Sequence, residues 1–167
     1  MLDGGLPHWR SLSLPLESGA PPATPPARFS ATLQPRLIAS LADVRTAAAT
    51  QSAAILDARP RGRWAGIDPE PRAGLPSGHV PTSVSLPFSA VLTPDGTRFK
   101  QPDELRAMFD ALGVGKERKS IFTCGSGVTA CVIEMAALIA GGEEGSVYDG
   151  AWAEYGSQKD AIIATEK

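Results

Sequence analysis

Apolar residues fall along this chain in two rhythms. Short bursts recur as Ala54-Ile55-Leu56 running into Asp57, Val84-Ser85-Leu86, Ser120-Ile121-Phe122-Thr123 and Ser146-Val147-Tyr148. Bursts of that length predict short buried strands. Between them lie segments with helical spacing. Leu37, Leu41 and Val44 place a helix over Gln34 to Ala49. Pro102 to Leu112 opens on Pro, carries Asp103 and Glu104 in its first turn and meets Gly113, which predicts a helix with both ends marked. Val128 to Ala140 is apolar on most faces, so it predicts a largely buried helix, and Gly141-Gly142 ends it. Strands alternating with helices predict an α/β fold, an open parallel sheet with helices on both faces. Ligands of such sheets bind beyond the carboxyl ends of the strands.

Two stretches break the rhythm. Residues 58–82 hold nine Pro or Gly and show no periodicity. A loop of that length inside a compact domain is usually functional. Residues 18–27, Ser-Gly-Ala-Pro-Pro-Ala-Thr-Pro-Pro-Ala, predict an extended linker that cannot build a core.

Composition changes the picture mainly by exclusion. A chain of 167 residues suits one domain plus a tail. A net charge of -2 gives no basic footprint for nucleic acid. No apolar run reaches the about 18 residues of a membrane span. The N-terminus has no basic stretch followed by an apolar one, so no signal peptide is expected. The two cysteines, Cys124 and Cys131, do not form a metal-ligand set. A reducing compartment is expected, the cytoplasm first, with the mitochondrion left open.

The candidate chemistry lies after the third strand. Cys124-Gly125-Ser126-Gly127-Val128-Thr129-Ala130 joins that strand to the apolar helix. A cysteine in a Gly-containing loop ahead of a helix start is favoured as a thiolate, since loop amides and the helix dipole both attract negative charge. A nucleophile is therefore expected, against the plainer alternative of a buried structural cysteine beside a turn. A Cys-x5-Arg phosphate loop is excluded, because the sixth position after Cys124 is Ala130 and no guanidinium is there to hold a phosphate.

The string Cys-Gly-Ser-Gly-Val-Thr-Ala resembles the active-site loop of the 3-mercaptopyruvate sulfurtransferases, in the rhodanese superfamily. Leu56-Asp57-Ala58-Arg59-Pro60 with Arg63-Trp64, then Pro69-Glu70-Pro71-Arg72, Gly78-His79-Val80-Pro81, Ser85-Leu86-Pro87-Phe88 and Tyr148-Asp149-Gly150-Ala151-Trp152 follow the family's order across about residues 28–157. The resemblance implies a rhodanese-like sheet. It implies that Cys124 is the nucleophile, that Ser126 assists, and that Arg63 and Arg72 bind the donor's carboxylate and carbonyl. Gly125, Gly127, Val128 and Thr129 would line the donor site. Asp57, Arg59 and His79 are expected to support the structure, with a general-base role for Asp57 and a catalytic one for His79 as alternatives. Cys131 is expected to be packing, with a redox role as its alternative. Thr82 stands where the family usually has Gly, and since a β-branched residue disfavours positive φ, the turn there is expected to differ.

The implied function is sulfur transfer from 3-mercaptopyruvate, and less well from thiosulfate, to a thiol such as a dithiol protein or to cyanide. It runs through a cysteine persulfide and needs no cofactor, nucleic acid or membrane. Thiosulfate-preferring relatives carry basic residues where Gly125 and Ser126 stand. The alternative is a weakly active or inactive rhodanese module serving in binding or regulation.

Leu2-Asp3-Gly4-Gly5-Leu6-Pro7-His8-Trp9 repeats Tyr148-Asp149-Gly150-Ala151-Trp152-Ala153-Glu154-Tyr155 in its Asp-Gly and its aromatic six residues on. Family members of the two-domain type end their first domain in this way. Residues 1–18 are therefore expected to be the remnant of a preceding rhodanese domain, 19–30 a Pro-rich linker and 31–160 the catalytic domain. A missing first domain is the expected partner, the remnant should be poorly packed or lie along the domain as an extended tail, and Cys124 and its arginines should be more open to water than with that domain in place.

Overall fold

Four parallel strands form the sheet of the computed structural model, which describes residues 2–114, 119–142 and 145–166. They are β1 (Ala54–Asp57), β2 (Val84–Ser85), β3 (Ser120–Thr123) and β4 (Ser146–Val147), in the order β2-β1-β3-β4. Leu56 faces Phe122 and Val84 across the ladders, and Phe122 faces Val147. Beyond β4, Ile38 pairs in parallel with Val147. Every residue of β1 is buried, as a central strand covered on both faces requires.

Alternation along the strands divides the core in two. Ala54, Leu56 and Phe122 point to one face, where Leu105 and Phe109 of α4 (Pro102–Ala111) and Ala130, Ile133, Ala136 and Ala137 of α5 (Ala130–Ile139) cover them. Ile55 and Ile121 point to the other, under Val44 and Ala47 of α2 (Leu41–Thr50) and Trp152 and Tyr155 of α6 (Ala151–Tyr155). Burying Leu105 and Phe109, one turn apart on α4, stabilises this layer by about 2 kcal/mol each. Helix α3 (Arg61–Trp64) is a single turn inside the loop after β1.

The expected helix over Gln34 to Ala49 is corrected. Residues 35–37 form one 3-10 turn, Ile38 and Ala39 are extended against β4, and α2 starts only at Leu41. The break is a capping box. Ser40 Oγ accepts the Asp43 N–H, and the Asp43 carboxylate accepts the Ser40 N–H at 2.8 Å. The other expected elements appear within two residues of their sequence bounds.

The N-terminal segment is poorly packed rather than uniformly extended, with no buried residue in its helix and residues 12–18 exposed. Residues Gly5–Ser11 form α1, all of it outside the core. Asp3 Oδ1 accepts the Phe99 N–H at 3.1 Å, and Leu2 to Gly5 lie beside Leu92, Phe99, Met135 and Ile139. Met1, the first residue of the expected remnant, lies outside the described residues. At the other end the domain runs past the expected boundary at 160. Ala164 exchanges backbone hydrogen bonds with His79, and the Glu166 N–H reaches Ala65 O. No helix among the described residues is long and apolar enough to cross a membrane.

Candidate active site

Cys124 follows directly on β3, at the carboxyl end of the sheet, and residues 125–129 link it to α5. Backbone contacts from α6 hold this loop from below: Trp152 N–H donates to Cys124 O at 2.9 Å and Ala153 N–H to Gly125 O at 3.2 Å. Gly127 has φ 86, and a Cβ there would come within 2.8 Å of Asp149 Oδ1, so this turn requires glycine. Among the described residues, no acceptor is engaged by the backbone N–H of Gly125, Ser126, Gly127, Val128 or Thr129. Successive amides in a turn that contains a left-handed residue can form an anion-binding concavity. Ser126 is exposed, and its hydroxyl has no hydrogen bond to a described residue; Val128 is 71% exposed.

Cys124 itself is 1% exposed, while Arg63 is partly exposed and Arg72 exposed. Its side chain belongs to the core layer with Leu56, Phe122, Ala130 and Ile133. Cys131 is exposed, and its Sγ lies 3.6 Å from Gly127 O. Partial burial pushes its thiol up, with the negative charge of Glu134 adding to this.

The loop after β1 holds four arginines; Arg61 pairs with Glu166 at the surface, and the three candidates differ in what is left of each. Arg59 is fully engaged. Its Nε and Nη2 bind the Asp57 carboxylate, the closest contact 2.6 Å; Nη1 donates to Glu70 Oε1 at 2.8 Å and Nη2 to Gly78 O at 2.9 Å. Its guanidinium also lies 4.4 Å from the Trp152 ring centre. Both Arg59 and Asp57 are 1% exposed, so each charge is compensated within the cluster. Arg63 is half engaged: its Nε and Nη2 bind Glu70, and its side chain is 22% exposed. A Cβ on Gly125 would lie 3.0 Å from Arg63 Nη2, so Arg63 rests against the cysteine loop. Arg72 is exposed, and its side chain has no hydrogen bond or ion pair with a described residue.

His79 is buried, stacks on Trp64 at 3.9 Å, and its Nδ1 lies 2.8 Å from Trp64 O. Asp57 and Arg59 therefore meet in one buried cluster and His79 packs apart on Trp64, while Gly125 and Arg63 meet at the rim and Cys124 lies in the core layer next to Gly125. Sequence reasoning missed Glu70, whose side chain is 2% exposed and joins Arg59 to Arg63. The available signal was weak: two acids, Asp68 and Glu70, in a loop with four arginines. Thr82 has φ 65 and takes the left-handed turn that glycine would take, so the expected change of turn does not occur. Among the described residues no cluster of His, Cys, Asp and Glu could hold a metal.

Residues 40–158 match the model of the rhodanese-like domain. The chain belongs to the rhodanese family. It is 40% identical to human 3-mercaptopyruvate sulfurtransferase over 93% of its own length and 41% identical to bovine thiosulfate sulfurtransferase over the same share. It spans about half of each, 52%. The crystal structure of SseA, a 3-mercaptopyruvate sulfotransferase of Escherichia coli with the rhodanese fold, superposes with a TM-score of 0.75 at 35% identity. That match covers 90% of this chain and 55% of SseA.

Proposed function

We propose that this rhodanese domain transfers sulfur through a persulfide on Cys124, with 3-mercaptopyruvate as the preferred donor and thiosulfate as a poorer one. The observation that carries the reading is Cys124 at the carboxyl end of β3, followed by five backbone N–H groups with no acceptor among the described residues. The relatives named above, some for mercaptopyruvate and some for thiosulfate, support the reaction class.

The cycle has two halves. The Cys124 thiolate attacks the donor's sulfur. An S–S bond forms, the donor's C–S bond breaks, and its electron pair leaves on carbon as the enolate of pyruvate, which then takes a proton. The loop amides stabilise the negative charge on the sulfurs. A thiolate or cyanide next attacks the outer sulfur, and the S–S electron pair returns to Cys124. Arg63 orients the donor's carboxylate, and exposed Arg72 adds a second positive charge from the same loop. Ser126 lies at the rim, where its hydroxyl can assist proton movement.

One observation favours a second reading, a weakly active or inactive module used in binding or regulation: Cys124 is 1% exposed. Under the first reading the rim must shift for the donor to reach Sγ. A preceding rhodanese domain as partner belongs to the proposal too. What supports it is that Leu2-Asp3-Gly4-Gly5 and Tyr148-Asp149-Gly150-Ala151 each enter a helix through a residue at φ 52. We place the protein in a reducing compartment, the cytoplasm first. The test is kcat/KM for the two donors with cyanide as acceptor. A higher value for mercaptopyruvate is expected. Equal or reversed preference contradicts the donor assignment, and no turnover of either favours the second reading.

A further inference from the structure

We infer that Glu70 is the positioning residue that selects a carboxylate-bearing donor, with Gly125 as the space that lets it do so; this rests on the persulfide reading above. A guanidinium has two edges able to grip a carboxylate in two places, one made of Nε and Nη2 and one made of Nη1 and Nη2. Glu70 occupies the first edge of Arg63, its Oε1 accepting from Nε at 3.2 Å and its Oε2 from Nη2. Among the described residues Nη1 has no acceptor, so the second edge is open.

Glu70 cannot swing away with Arg63, because Oε1 also accepts from Arg59 Nη1 at 2.8 Å and Arg59 is locked on Asp57. A chain of fixed contacts therefore runs Asp57, Arg59, Glu70, Arg63 and sets the plane of the Arg63 fork. On its other side the fork abuts Gly125, where a Cβ would lie 3.0 Å from Nη2. Any side chain at 125 must push the guanidinium off this position or shift the loop.

The formal charges of Asp57, Glu70, Arg59 and Arg63 sum to zero, so the cluster offers little net attraction to an anion. What it offers is an aimed, planar fork. A 2-oxo acid uses that fork with its carboxylate, whereas a tetrahedral dianion such as thiosulfate benefits more from net charge. Glu70→Gln keeps the shape, loosens the aim and adds positive charge. It should lower the ratio of mercaptopyruvate to thiosulfate activity.

The experiment measures kcat/KM for mercaptopyruvate and thiosulfate in the parent chain, Glu70→Gln, Arg63→Lys, Gly125→Ala and the Glu70→Gln/Arg63→Lys double variant, with thermal melts alongside. The expected result is a loss of about tenfold for mercaptopyruvate in Glu70→Gln. The loss for thiosulfate should be smaller or reversed, and the double variant no worse than Arg63→Lys alone. Gly125→Ala approaches the fork from the loop without touching the buried cluster, so it keeps the test valid if Glu70→Gln fails to fold; it should lower the same donor ratio. A donor ratio unchanged by either variant, in a parent that forms the Cys124 persulfide, overturns this inference alone. A parent that forms no persulfide overturns it together with the reading beneath it.

Discussion

The loop after β1 and the loop after β3 meet where Arg63 lies against Gly125, yet they are held by opposite means. The first is long, rich in Pro and Gly, and pinned by charge: Asp57, Arg59 and Glu70 are almost wholly buried and satisfy one another. The second is short and has no ion pair of its own. Strand β3, helix α5 and two backbone bonds from α6 hold it. Under the proposed function the difference follows from what each loop would present. A donor-binding arginine must be aimed, and aiming takes fixed partners. An anion cradle must keep its N–H groups free, so its stiffness comes from the backbone around it.

The largest effect expected from breaking this contrast is at Arg59. Arg59→Met leaves Asp57 buried without its partner, which costs about 3–5 kcal/mol. Urea denaturation checks this, and a loss below about 1 kcal/mol would show that burial does not hold the first loop. In the second loop the backbone is the point of failure. Gly127→Ala forces a Cβ onto a residue at φ 86 and against Asp149, and should cost about 1–3 kcal/mol by the same measurement.

Thr82→Gly works in the opposite direction. It relieves a β-branched residue at φ 65, offset in part by the extra freedom of glycine when unfolded, and should raise stability by about 1 kcal/mol. The smallest effect concerns Cys131. Its thiol is pushed up by burial and by Glu134, so less of it is thiolate near neutral pH. In a Cys124→Ser chain, alkylation by iodoacetamide should be slower than for free cysteine near neutral pH and reach half its maximum at a higher pH. An equal or lower midpoint would refute the assignment.

The strands were legible because short apolar bursts between Pro, Gly and polar residues have few other meanings, and β3 matches its expected bounds, Ser120–Thr123. The start of α2 was misjudged because Leu37, Leu41 and Val44 continue a helical spacing through a capping box at Ser40, and the box outweighs the spacing. At the site, the cysteine and its loop were readable from residue type and order. The roles of the arginines were not. Arg59, Arg63 and Arg72 look alike in sequence, and only their partners separate a saturated guanidinium, a half-used one and an exposed one. Glu70 was hidden for the same reason, since an ion pair across eleven residues of irregular loop leaves no periodic trace. The burial of Cys124 was missed because a nucleophile suggests exposure, while its place at the end of a central strand packs it into the core.

The central claim is that sulfur is carried on Cys124. The direct test is intact-mass and peptide mass spectrometry of the chain after incubation with 3-mercaptopyruvate, before any acceptor is added, with Cys124→Ser as the control. The account predicts a gain of one sulfur atom located on Cys124, absent in the control and discharged by cyanide. A chain that gains no sulfur, or gains it on Cys131, would contradict it.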